Sequence, residues 1–287
     1  MVDKSPASIS HIDRHVMIER RDRFLGLLGT RPVIMGILNV TPDSFSDGGK
    51  FFSLDAAMQQ AEKLAADGAD IIDVGAESTR PGHTPVAAEE ELARLAPILG
   101  KLASRIDVPF SIDTSKAKVA RRATELGASV VNDVWGLQKD RAMADTVAET
   151  GAAVVLMHNR AGIDPDLDVV ADMRRFFDRS LRLAEAARIP PARIILDPGI
   201  GFGKSRAQNF AALANLAALK DYALPILVGV SRKSLLAEHA ATPVDKNLVR
   251  TLAANLAAAA NGASLFRVHD AAEHAAAFKV FDAIARR

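Results

Sequence analysis

The chain contains no cysteine. That excludes disulfides, a thiol nucleophile and any cysteine-bound zinc or cluster, and it suits a reducing cytoplasm. It also has almost no net charge, with 36 Lys and Arg against 35 Asp and Glu. Without a global field, nucleic acid and anionic membrane are poor partners, while a local basic pocket for a small anion remains open. No apolar run approaches the roughly 18 residues of a membrane span, and the N-terminus has no continuous apolar core for a signal peptide. The zincin pattern is missing, and the seven histidines show no metal-ligand spacing. GIGFGKS, from Gly199 to Ser205, falls short of a phosphate loop because Pro198 stands where its first glycine belongs. Its glycines, Gly199, Gly201 and Gly203, do not fit GxGxxG either.

What remains is a globular composition, 49% hydrophobic and 25% charged, over 287 residues, a length that one α/β barrel can occupy. Met1 to Arg31 mixes Arg20, Arg21 and Arg23 with Asp13, Glu19 and Asp22, unlike an acid-poor transit peptide. It reads as an extension, mobile or loosely docked, before a domain spanning 32–287. From Pro32 a short apolar run and a helical stretch recur. The runs are Val33 to Leu38, Ile71 to Val74, Phe110 to Ile112, Val130 to Val131, Ala153 to Met157, Ile194 to Leu196, Ile226 to Val228 and Leu265 to Val268. Between them, Leu92, Leu95, Leu99 and Leu102 mark one helical face, and Met173, Phe177, Leu181 and Ala184 another. Eight buried strands alternating with helices predict a single closed (β/α)8 TIM barrel.

In such a barrel the active site lies at the strand C-terminal ends. Ile194 to Leu196 ends abruptly at Asp197, Pro198 and three glycines, so a core strand hands a carboxylate to a loop. A buried charge needs a partner. Asp197 either caps the next helix or presents two acceptor oxygens to an amidine-like edge, such as that of a pterin or guanine. The other runs end in NVTPD (Asn39 to Asp43), DVGAESTR (Asp73 to Arg80), DTS (Asp113 to Ser115), ND (Asn132 and Asp133), HN (His158 and Asn159), SRKS (Ser231 to Ser234) and RVHD (Arg267 to Asp270). One such end can be a helix cap, as expected of Ser115. Eight together exceed what capping requires and point to an enzyme.

ILNVTPDSFSDGG (Ile37 to Gly49), DVGAESTRPG (Asp73 to Gly82), SIDTSK (Ser111 to Lys116), NDVWG (Asn132 to Gly136), LMH (Leu156 to His158), LDPGIGFGK (Leu196 to Lys204), GVSRKS (Gly229 to Ser234) and FRVHD (Phe266 to Asp270) resemble blocks of dihydropteroate synthase, in family order. The resemblance implies condensation of 6-hydroxymethyl-7,8-dihydropterin pyrophosphate with p-aminobenzoate, assisted by Mg²⁺. It implies a pterin pocket of Asp113, Asn132, Asp197 and Lys233, with Lys233 neutralising the buried acids. Asn39 would help hold Mg²⁺ on the diphosphate. Phe45, Thr79, Arg80, Pro81, Phe202 and Ser234 would form the p-aminobenzoate pocket, within loops that close over the site.

Arg267 and His269 lie two residues apart and face the same way if the strand continues, so both can donate to a pyrophosphate oxygen. The catalytic set is then Asp113, Lys233, Arg267 and His269. The resemblance also implies a homodimer through the late helices and a sulfonamide target. Two rivals stand beside it: a pterin-binding methyltransferase sharing the pterin acids, and a pterin-binding paralogue without catalysis. No role is carried over to the loop after His158.

Overall fold

The computed structural model describes residues 13–40, 49–77, 86–236 and 244–285. Its strands are β1 (Val33–Asn39), β2 (Ile71–Gly75), β3 (Phe110–Asp113), β4 (Val130–Asp133), β5 (Ala153–Met157), β6 (Ile194–Asp197), β7 (Leu227–Val228) and β8 (Leu265–Val268). All pair in parallel, in the order β6-β5-β4-β3-β2-β1-β8-β7. A single parallel bridge, Leu196 to Ile226, joins the two ends. The eight apolar runs coincide with these strands, and the barrel expected from them is the observed fold.

Helices α2 (Gly49–Ala66), α3 (Ala88–Arg105), α4 (Ala117–Glu125), α5 (Met143–Thr150), α6 (Val169–Ala186), α7 (Arg206–Ala214), α8 (Val244–Ala260) and α9 (Ala271–Ala285) each follow one strand; α1 (Arg14–Leu25) precedes them all. On α3, Leu95, Leu99 and Leu102 are buried, with Leu92 packed beside them. On α6, Met173, Phe177 and Ala184 are buried and Leu181 packs against the same core. Ser115 is not a cap: Lys116 occupies that position in α4, and Asp140 Oδ2 accepts from Ala117 N at 2.8 Å instead. Among the described residues no helix is long and apolar enough to cross a membrane.

Strand alternation sorts the barrel's interior into two levels. Val33, Met35, Ile71, Val130, Ala153, Val155, Ile195, Leu227 and Leu265 form one inner apolar cluster. Side chains two residues further along a strand share its face. That step turns Ile71 into Asp73, Val130 into Asn132, Ile195 into Asp197 and Leu265 into Arg267. The lower barrel is therefore oily and the upper barrel polar, and the change falls at the strand ends.

Within the extension, the described residues 13–31 are not loosely docked. Phe24, 1% exposed, packs into the lower cluster, and Met17 is buried as well. Arg14 Nη2 donates to Glu149 O (2.8 Å), Arg20 Nη1 to Ala103 O (3.2 Å), Arg23 Nη2 to Asp107 O (2.6 Å) and Arg21 to Gly151 O. These carbonyls lie at or just beyond the C-terminal ends of α3 and α5, where cations are favoured. Helix α1 thus covers the floor of the barrel using few apolar residues.

Candidate active site

The loop after β6 folds back tightly. Asp197 O accepts from His158 N (2.8 Å), and Asp197 Oδ1 accepts from Gly199 N (2.7 Å). Gly199 has φ +64°, and a Cβ there would lie 1.8 Å from His158 O, so only glycine fits. Lys204 Nζ donates to Gly199 O (2.8 Å) and Phe202 O (3.2 Å), drawing the loop into a ring. Helix α7 is capped by Ser205 in a reciprocal arrangement with Gln208, so Asp197 is not its cap. The carboxylate is left for the barrel mouth. His158 is an anchor: Phe176 and Phe177 flank it, Nε2 meets Asp172 Oδ2 at 3.1 Å, and burial pulls its pKa down to about 3, so it stays neutral.

At the centre of the mouth, Arg267 lies between two acids. Its Nε donates to Asp73 Oδ2 (2.6 Å) and its Nη2 to Asp113 Oδ2 (3.0 Å). Asp73, fully buried, also accepts from Ser111 Oγ (2.6 Å) and Asn132 Nδ2 (3.2 Å). Asp113 Oδ1 and Asn132 Oδ1 are buried without a hydrogen-bond partner among the described residues, an arrangement that costs free energy unless a donor is brought to them.

Burial raises the Asp113 pKa to about 7, with Arg267 opposing the rise. Arg267 is held above its usual value despite its burial because Asp73 and Asp113 both favour its charge. Asp113 rises because burial outweighs the pull of Arg267, and Arg267 rises because the two acids outweigh its own burial. Asp197 is likewise raised by burial.

Lys233 differs from expectation in one respect. Its Nζ donates to Ile200 O and sits 4.6 Å from the Phe202 ring centroid, while the direct ion pair to Asp113 belongs to Arg267. Lys233 acts on Asp197 through charge at longer range, and burial lowers its own pKa to about 8. Burial similarly lowers Lys204 to about 7.

Strand β8 ends at Val268, so His269 lies just past it and its side chain is not set by the strand's alternation; its Nδ1 is 3.0 Å from Ser231 Oγ. Ser234 opens a short 3-10 turn, Ser234–Leu236, just beyond Lys233. Asn39 ends β1 with its side chain exposed. Phe45, Thr79, Arg80 and Pro81 lie outside the described residues. Among the described residues no group of three His, Asp or Glu side chains could hold a metal. The single amide oxygen of Asn39 fits Mg²⁺ only where substrate oxygens and water complete the shell, which that ion tolerates.

The sequence reading assigned no role to Asp73, which holds both Asn132 and Arg267. Its signal was the one that marked Asp113 and Asp197: a lone acid at the end of an apolar strand.

Residues 35–269 match the family described as pterin binding enzyme. Dihydropteroate synthase from Clostridium beijerinckii is 44% identical over 261 residues, covering 91% of this chain and 97% of that protein. The Clostridium difficile dihydropteroate synthase crystal structure, obtained in the presence of pteroic acid, superposes with TM-score 0.87 at 46% identity, covering 91% of this chain and 99% of the other. The Xanthomonas albilineans enzyme with 4-aminobenzoic acid gives TM-score 0.85 at 43% identity, covering 90% and 94%. With its motifs, barrel and polar mouth matching over nine-tenths of its length, the chain belongs to the dihydropteroate synthase family of transferases.

Proposed function

We propose that this chain performs the condensation of 6-hydroxymethyl-7,8-dihydropterin pyrophosphate with p-aminobenzoate, giving 7,8-dihydropteroate and pyrophosphate, with the residues of the barrel mouth in the following roles. The observation that carries the assignment is the pair of orphaned, buried oxygens on Asp113 and Asn132, at the same ends of the strands as the buried carboxylate of Asp197. A flat heterocycle with several ring N–H and amino donors meets that need. Asp197 takes the amidine edge, Asn132 and Lys233 complement the remaining polar atoms of the pterin, and Asp113 lies near the methylene carbon.

As the bond to the diphosphate lengthens, positive charge grows on that carbon. The ionised Asp113 and the electron-rich pterin stabilise it. Arg267 and His269 donate to the departing pyrophosphate, with Arg267 shifting part of its charge from the acids to the anion. Asn39 would give one oxygen to Mg²⁺, which would supply further neutralisation of the diphosphate when bound. The arylamine nitrogen then attacks, and no covalent enzyme intermediate is required. The p-aminobenzoate pocket, which sulfonamides would enter as competitors, is assigned to Phe202 and Ser234 and, on the resemblance alone, to Phe45, Thr79, Arg80 and Pro81.

The test is release of pyrophosphate from the pterin diphosphate with Mg²⁺. Release that depends on p-aminobenzoate is expected. Release indifferent to it, or methyl transfer from methyltetrahydrofolate, would overturn the reading. The same reading places the enzyme in the reducing cytoplasm, as a homodimer through its late helices, where Val249, Val280 and Ile284 are 65%, 61% and 71% exposed. Light scattering is expected to give twice the chain mass, and a monomeric mass contradicts it.

A further inference from the structure

The loop after β4, residues 133–140, takes no part in the polar ring beyond Asn132, yet it is heavily constrained. Buried Asp133 accepts from Trp135 N (2.9 Å) and Leu137 N (2.6 Å). Gly136 (φ +56°) and Leu137 (φ +66°) are both left-handed, and a Cβ on Gly136 would lie 2.7 Å from the Phe176 ring. Asn159 Nδ2 holds Val134 O at 2.9 Å, and Gln138 Nε2 holds Phe176 O at 3.1 Å and Ser180 Oγ at 2.8 Å. A left-handed leucine is strained and persists only where its surroundings enforce it.

This scaffolding fixes the one tryptophan of the chain, Trp135, half-buried on the wall of a 620 Å³ cleft at the β4 and β5 side of the mouth. Phe176 and the 60% exposed Ile163 add apolar wall, and Lys139, Arg160 and Arg179 bring three cations. No carboxylate lines the cleft. Arg160 already pairs with Asp172 at 2.7 Å. Lys139 Nζ sits 5.7 Å from the Trp135 ring centroid and reaches Ser115 Oγ only at 3.4 Å. Arg179 is exposed, with no ion-pair partner among the described residues.

We propose that this cleft is a second binding site, distinct from the polar ring, for an aryl carboxylate. The ring would lie against Trp135 and Ile163 and the carboxylate against Arg179 and Lys139. An inorganic anion would gain only screened contacts to exposed cations, and an uncharged arene only the apolar wall. The combination selects a ligand having both. Given the function proposed above, two sources share that chemistry: the arylamine substrate and a product carrying the same benzoate end.

A single tryptophan gives a single indole N–H resonance, so ¹⁵N-labelled full-length protein reports on the cleft directly. Because Lys233 belongs to the polar ring, the Lys233→Ala variant separates the two sites. In that background 4-aminobenzoate and pteroate are expected to move the indole signal saturably, and the tighter of the two identifies the source. Arg179→Ala is expected to weaken the binding about tenfold or more while turnover stays near wild type, since Arg179 stands on α6 in the cleft wall, which includes none of the groups assigned to the reaction. Loss of the shift on Lys233→Ala would mean that the signal came from the polar ring, and would overturn the proposal. An equal response to aniline or inorganic phosphate, or no saturable shift at all, would overturn it too. Because turnover is read separately, each of these results leaves the proposed activity standing.

Discussion

At the residue scale the governing quantity is the charge state of Asp113. Its folded pKa, raised by burial to about 7, lies well above the ordinary carboxylate value of about 4. Between those values the folded ligand-free protein keeps a proton that the unfolded chain has released. The group's contribution to stability is therefore complete at low pH and is lost as pH rises toward 7. Asp113→Asn removes that dependence, so the melting temperature of the variant minus that of wild type is expected to grow between about pH 4 and about pH 7 and to level off above that.

Catalysis runs the other way, because the developing cation needs the ionised form. For wild type kcat/KM is expected to rise through about pH 7, and Asp113→Asn is expected to lose kcat far more than pterin affinity. Equal losses in kcat and affinity, or a profile flat across neutral pH, would remove Asp113 from that role.

At the element scale, the strands were legible because a parallel strand buried on both faces must be apolar along its length. The acids at their ends stood out for the same reason. Helix α1 was not legible. Its buried residues number only Met17 and Phe24, and its remaining hold on the barrel is through arginines meeting backbone carbonyls. Nothing in the pattern of Arg20, Arg21 and Arg23 tells a solvated charge from one aimed at a helix end. The partnership of Lys116 with Glu77 and Glu91 escaped in the same way, since its members lie 39 and 25 residues apart.

The floor helix carries its own prediction. Truncating a buried phenylalanine typically costs about 3–5 kcal/mol. Phe24→Ala is expected to cost about that in urea unfolding and to leave kcat of the folded enzyme unchanged, because Phe24 packs in the apolar level below Asp113 and Arg267. A large fall in kcat would mean that the two levels are mechanically coupled.

At the scale of the whole molecule, barrel closure is uneven. Strands β1 and β2 share five paired residues, whereas β7 has two residues and meets β6 through the one bridge at Leu196 and Ile226. Amides along the β6–β7 seam therefore open at lower free energy than those of β1 to β3. Two of the groups assigned to the pterin lie on opposite sides of this seam: Asp197 ends β6 and Lys233 follows β7. A pterin held by both ties the two edges together where the backbone does so least, so binding free energy appears there as added local stability. In hydrogen exchange, the amides of residues 226–230 are expected to exchange earlier than those of β1 to β3 in the free protein. They are also expected to slow the most when the pterin substrate is bound. Protection gained evenly around the barrel would place the ligand off the seam, and protection gained only near β2 to β4 would detach Asp197 and Lys233 from the pterin.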